Sequence, residues 1–312
     1  MPLDPIAKQF LDQIVASGMP PIESMTPADA RVATDAMLSA VAVVPDLASV
    51  EDRRIPGPGG EIPIRVYAPD SRVAQPIVLY FHGGGFVIGS LDSHDPLCRV
   101  LAARIPAIVV AVDYRLAPEH PFPAAAEDAY AATCWVAEHA RELGGDPGRI
   151  AVAGDSAGGN LTAVVSLLAR DRGGPELAHQ MLIYPVTDHS FETRSHIDNA
   201  EGYLLTRPLM QWFLGHYFSG PTPRSDPRFA VLRVADLSGV PPATVLTAEF
   251  DPLRDEGESY AARLRAAGVP VTVTRYDGMI HGYLPQPALF PQAAEAIDAV
   301  AAVLRGAFGP RS

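Results

Sequence analysis

The residues with chemistry to offer fall in four short stretches of this 312-residue chain. The first is Gly154-Asp155-Ser156-Ala157-Gly158, a G-x-S-x-G pattern. In a chain with 26 glycines the pattern alone says little, but its setting says more. The apolar run 150–154 leads in, and Leu161, Val164, Val165 and Leu168 lead out at helical spacing. A serine at the apex of a strand–turn–helix has an exposed hydroxyl, with the free N–H groups of a helix N-terminus behind it. The competing reading is a plain glycine-rich turn, such as one for phosphate. Against it, the stretch lacks both the lysine of a phosphate-binding loop and the G-x-G-x-x-G spacing.

A serine hydroxyl attacks a carbonyl only when a base takes its proton. Where this strand–turn–helix carries the nucleophile, chain order runs Ser, then Asp or Glu, then His. The histidines after Ser156 are His179, His189, His196, His216 and His281. His179 opens a strand, and the middle three lie in a long irregular stretch. His281, in "DGMIHGY", follows the last strand, so chain order selects it. Glu249, Asp251, Asp255 and Glu256 compete for the acid. Pro252 holds Asp251 extended, whereas Asp255 and Glu256 suit the first turn of the following helix. Asp251 is therefore the expected orienting acid, which fixes the imidazole tautomer and stabilises the imidazolium.

The fourth stretch is "FHGGGF", residues 81–86, after the apolar run 76–80. Three consecutive glycines are costly to order. They make sense where backbone N–H groups must reach a developing oxyanion without side chains in the way. Gly83, Gly84 and Gly85, with the N–H of Ala157, are the expected donors. His82 has no partners at metal-ligand spacing, so no metal is expected there, and the ring is read as a brace for the loop.

These pieces need a scaffold. Continuous apolar runs at 76–81, 107–113, 150–154, 181–186, 244–248 and 271–276 read as strands buried on both faces. Two extended runs around Gly57-Pro58-Gly59-Gly60 add a hairpin, about eight strands in all. Helices at 124–143, 157–172, 255–267 and 291–305 alternate with the strands, each followed by glycine. The alternation predicts an α/β fold with a mostly parallel sheet. Helical spacing near the start (Ile6, Phe10, Ile14, then Val32, Ala36, Met37, Ala40) and an aromatic-rich excursion between Val186 and Val245 stand outside it. An insertion that long reads as a cap or lid. The organisation expected is 1–47 as the first part of a helical cap, 48–187 as core, 188–235 as cap insertion and 236–312 as the rest of the core.

Bulk properties narrow the partners. A formal net charge of −12 argues against nucleic acid and against an anionic membrane surface. No apolar run approaches the roughly 20 residues of a spanning helix, and no basic-then-apolar leader opens the sequence, so the expected address is cytoplasmic. Two cysteines, Cys98 and Cys134, are too few for a disulfide framework.

With these residues in hand, the chain resembles the bacterial hormone-sensitive-lipase-like esterases, an α/β-hydrolase family. "HGGGF", "YRLAPEHPFPAA", "GDSAGGN", "DPLRDEG" and "HGY" occur in the family's order, and "PLDP" at the start is similar too. Two positions differ mildly. Tyr283 stands where Phe is common, and Asp155 places the chain with members carrying Asp before the serine. The resemblance implies Ser156, Asp251 and His281 as a triad, oxyanion donors from the glycine segment and Ala157, and no metal or organic cofactor. It implies hydrolysis of small-molecule carboxylic esters with short to medium acyl chains. Phe86, Trp212, Phe213 and Phe218 are candidate acyl-pocket residues, although helical aromatics also serve as cap core. The alternatives are an amidase or long-chain lipase with the same triad, or a non-catalytic small-molecule receptor of the same fold. An edge strand near 271–276 could pair with a second copy to form a homodimer, as in some relatives.

Overall fold

The computed structural model describes residues 1–39, 44–220 and 223–309. Among them, α1 (Pro5–Ala16) and α2 (Pro27–Ser39) precede a hairpin of β1 (Ser49–Gly57) and β2 (Gly60–Ala68). Then come β3 (Gln75–Phe81), α3 (Leu91–Arg104), β4 (Ile108–Val112), α4 (Ala124–Glu138), β5 (Gly145–Asp155), α5 (Ala157–Asp171) and β6 (His179–Ile183). The short α6 (Arg194–Asp198) and α7 (Arg207–Tyr217) lead to β7 (Ala243–Phe250), α8 (Arg254–Ala266), β8 (Val271–Ile280) and α9 (Pro291–Ala307).

The eight strands form one sheet in the order β1-β2-β4-β3-β5-β6-β7-β8. Only the β1–β2 and β2–β4 pairs are antiparallel; the others are parallel. After β3 the chain steps to β4 on one side, then returns to β5 on the other. Ligands in open α/β sheets bind outside the strand ends where the order reverses in this way. The register aligns Phe81 with Gly154, so the glycine segment and Ser156 leave neighbouring strands side by side. Val78 and Tyr80 pack toward α3 and α9 on one face, while Ile77, Leu79 and Phe81 face the side of α4, α5 and α8.

Several details depart from expectation. Helix α3 goes unread in the sequence because Pro96 interrupts a polar first half, yet a Ser90–Ser93 capping box starts it and Leu97, Cys98 and Leu101 bury its face. Helix α4 stops at Glu138 rather than at 143. Strand β6 stops at Ile183 because Tyr184 turns to φ 33°. The buried face of α2 holds Ala30 and Thr34, whereas Val32 is 72% exposed. Of the expected positions, Val32 and Ala36 thus face outward while Met37 is part-buried, and Ala40 lies outside the described residues. Cys98 and Cys134 are free thiols. Among the described residues, no helix is long and apolar enough to cross a membrane.

Candidate active site

Ser156 sits between β5 and α5 with φ 56° and ψ −116°, a left-handed conformation that costs a non-glycine residue about 1–3 kcal/mol. The surrounding glycines permit it. A Cβ on Gly158 would collide with the carbonyl oxygen of Phe81, and one on Gly154 with that of Gly158. The chain bends back on itself with backbone against backbone. Its ends are tied by Ser156 N–H donating to Ile183 O at 2.8 Å and Val186 N–H donating to Ser156 O at 3.2 Å. Asn160, one turn into α5, donates its amide to Val186 O and Phe229 O at 2.9 and 2.7 Å.

The structure brings the three separated residues together. His281 Nδ1–H donates to Asp251 Oδ2 at 2.7 Å, which leaves Nε2 to face the Ser156 hydroxyl at 2.9 Å. Asp251 is fully buried and its other oxygen accepts Leu253 N–H at 2.9 Å, so the carboxylate is fixed by its own turn. The other candidate acids have different tasks. Glu256, read from sequence as a first-turn acid, is buried; it accepts His196 Nε2 at 2.8 Å and Thr187 N–H at 2.6 Å. Asp255 accepts Ser195 N–H at 2.7 Å, and Ser195 Oγ donates to Pro252 O at 2.6 Å. Asn199 donates to Asp251 O at 3.2 Å. Helix α6 therefore clasps the loop that carries Asp251. Sequence reasoning missed this clasp because its residues lie some 50–60 positions from that loop.

The glycine segment needs one correction. Gly83 was an expected oxyanion donor, but its N–H is spent on Asp155 Oδ1 at 3.0 Å. Gly84 (φ 113°) and Gly85 (φ 59°) turn the chain, and among the described residues their N–H groups have no acceptor. Ala157 is the first residue of α5, where N–H groups lack an intrahelical partner. Side chains are excluded here: a Cβ on Gly84 would meet Ile88 O, and one on Gly85 the ring of Phe213.

Asp155 is the post behind this segment. It also accepts the Tyr80 hydroxyl at 2.8 Å and has His94 Nε2 at 3.4 Å. Burial pushes its carboxyl up, but the His94 charge and contact and the Tyr80 hydroxyl outweigh it, so the carboxyl stays below its usual range. His82 does brace the loop, stacking on Tyr114 at 4.3 Å with Nδ1 2.7 Å from Gly83 O. Burial, with His94 beside it, lowers its pKa to about 4.

Ser156 and His281 open into a cavity of about 160 Å³, walled mainly by apolar residues of α2, α7 and the segments around 204 and 285. Of the four expected pocket aromatics, Phe86 and Phe213 line it. Trp212 and Phe218 do not. Trp212 packs on Phe213 and His216, and Phe218 on Phe122 and Phe229, so both rings are taken up by aromatic packing beside the cavity.

A buried serine–imidazole–carboxylate line at the switch point of a doubly wound sheet defines an α/β-hydrolase site. The chain belongs to that family, in its hormone-sensitive-lipase-like branch: the family model described as α/β-hydrolase fold matches residues 78–285. It is 46% identical to Carboxylesterase NlhH of Mycobacterium tuberculosis over 314 residues, 98% of this chain and 96% of that protein. It is 41% identical to Ethyl acetate hydrolase of Pseudomonas putida, over 79% of each. Among solved structures, the ester-hydrolase EH1AB1 from the metagenome of Lake Arreo, bound to a bipyridine phosphonate derivative, matches with a TM-score of 0.95 at 43% identity. That match covers 99% of this chain and 100% of that one.

Proposed function

We propose that this protein is a serine carboxylesterase that hydrolyses esters of short to medium acyl chains through an acyl-enzyme on Ser156. The observation that carries the reading is the unbroken line from Asp251 through His281 to Ser156, at 2.7 and 2.9 Å. As the Ser156 oxygen bonds to the ester carbon, His281 Nε2 takes its proton and Asp251 stabilises the imidazolium. The carbonyl oxygen becomes negative and is met by the N–H groups of Gly84, Gly85 and Ala157. The tetrahedral species collapses, the bond to the alcohol breaks, and His281 returns the proton to the leaving oxygen. Water, deprotonated by the same imidazole, then attacks the acyl-enzyme and frees the acid. No step calls on a metal or organic cofactor.

The N-terminal helices and the insertion 188–235 act together as a helical cap. Support comes from the cavity, whose walls include Thr34 and Met37 of α2 and Leu209 and Phe213 of α7. Its apolar walls suit an uncharged acyl chain.

The test is a p-nitrophenyl ester series from acetate to palmitate, run beside an anilide and a fluorophosphonate label. We expect labelling of Ser156, a rate maximum at short to medium chains and little anilide turnover. A profile flat with chain length, or anilide turnover near ester turnover, would transfer the assignment to a lipase or an amidase. An unlabelled Ser156 would favour the receptor.

A further inference from the structure

The wall of the cavity is nearly all apolar, and most polar side chains on it have partners. Thr34 Oγ1 donates to Ala30 O at 2.7 Å, Ser156 and His281 bond each other, and His94 faces Asp155. Gln286 is the exception. It lines the cavity and is only 4% exposed, yet its side-chain amide has neither a hydrogen bond nor a charge partner among the described residues. Its backbone is fully engaged: N–H donates to Tyr283 O at 3.2 Å, and O accepts Leu289 and Phe290 N–H, both at 3.0 Å. The side chain is thus an amide with one donor group and one acceptor, in a pocket that beyond the serine, the imidazole and the oxyanion amides offers a substrate mainly hydrocarbon.

Its place says which half of the substrate it meets. His281 must hand a proton to the departing alcohol, so the alcohol leaves on the imidazole side, away from the oxyanion amides. Gln286 lies five residues beyond His281, and its bond to Tyr283 folds it back onto the His281-Gly282-Tyr283 segment. The wall there also includes Gly282 and Pro285.

Resting on the esterase reading above, we propose that Gln286 is a specificity-determining residue that recognises a second hydrogen-bonding oxygen, hydroxyl or carbonyl, on the alcohol portion of the ester. Esters of diols and of hydroxy- or keto-alcohols are the substrate class this selects over plain alkyl esters. A buried amide left facing hydrocarbon loses its hydrogen bonds, so an alkyl alcohol of equal size binds less well.

The experiment compares 2-hydroxyethyl butanoate with propyl butanoate, which are matched in size, in the parent and in Gln286→Met and Gln286→Glu. The parent is expected to prefer the hydroxyethyl ester in kcat/KM. Gln286→Met, of similar length but without the amide, is expected to lower that preference about five- to tenfold, chiefly through KM. Gln286→Glu keeps an acceptor and is expected to retain part of it. A parent with no preference, or a ratio in Gln286→Met within twofold of the parent's, overturns the proposal. Turnover of phenyl butanoate, whose alcohol portion has no second oxygen, is expected to persist in every variant. If that turnover persists while the ratio stays flat, the specificity claim falls and the esterase reading stands; if the parent hydrolyses no ester at all, both fall.

Discussion

At the scale of single residues, the imidazole of His281 is held between a buried carboxylate and a hydroxyl, and each contact can be removed with little change of shape. Asp251→Asn keeps an oxygen for Leu253 N–H but can present an amide to Nδ1, which selects the wrong tautomer. A loss in kcat of roughly 10³–10⁴ is expected with KM little changed, read by steady-state kinetics on a p-nitrophenyl ester. Asp155 acts at one remove, through Gly83. Asp155→Asn retains a carbonyl oxygen for Gly83 N–H and is expected to keep most activity. Asp155→Ala releases the segment and is expected to lower kcat about 10- to 100-fold. Equal losses in the two variants would show that charge matters there, not the acceptor. Gly83 teaches a related lesson: the three glycines announce a bare backbone, but which N–H stays free depends on a carboxylate 72 residues away.

At the scale of elements, the helices outside the sheet are pinned to the parts that react. Arg31 on α2 donates to Val87 O and Ala117 O, both at 2.8 Å, and pairs with Glu119. It thereby ties a wall of the cavity to the chain just past the glycine segment. Arg31→Ala is expected to raise KM about three- to tenfold and to broaden chain-length preference more than it lowers kcat. A kcat loss with unchanged KM would place the effect on the oxyanion segment instead. Elements announced by apolar continuity were readable: residues 76–81, 150–154 and 244–248 all fall within strands. The Pro58-Gly59 turn was readable too, with Gly57 paired to Gly60. Those whose identity rests on tertiary contact were not. Helix α3 hides behind Pro96, and the α6 clasp depends on bonds to the Asp251 loop. Gln286 looks in sequence like any polar loop residue, and only the cavity makes its amide conspicuous.

At the scale of the whole molecule, two buried histidines set an acid limit. Burial, helped at His82 by neighbouring His94, brings His82 and His179 to about 4. Both are neutral in the folded protein near neutral pH, while the unfolded chain takes up protons below about 6.5. Their contribution is complete above that value and is lost as the solution is acidified toward 4, on the order of 3 kcal/mol for each. Urea unfolding at pH 7.5 and pH 5 is expected to show the drop. His179→Gln, which can keep a bond to Thr244 without titrating, is expected to shrink it; a drop of the same size in that variant would count against this account.

The collision that any side chain on Gly158 would have with the Phe81 carbonyl has a practical consequence. The spacing between nucleophile and oxyanion amides is set by main chain against main chain with the Asp155 carboxylate behind it, so it does not depend on the cavity-facing residues of α2, α7 or the segment around 286. A library that randomises those walls should yield catalysts of altered taste whose chemical step is intact, whereas a single methyl group added at position 158 should silence every member of it.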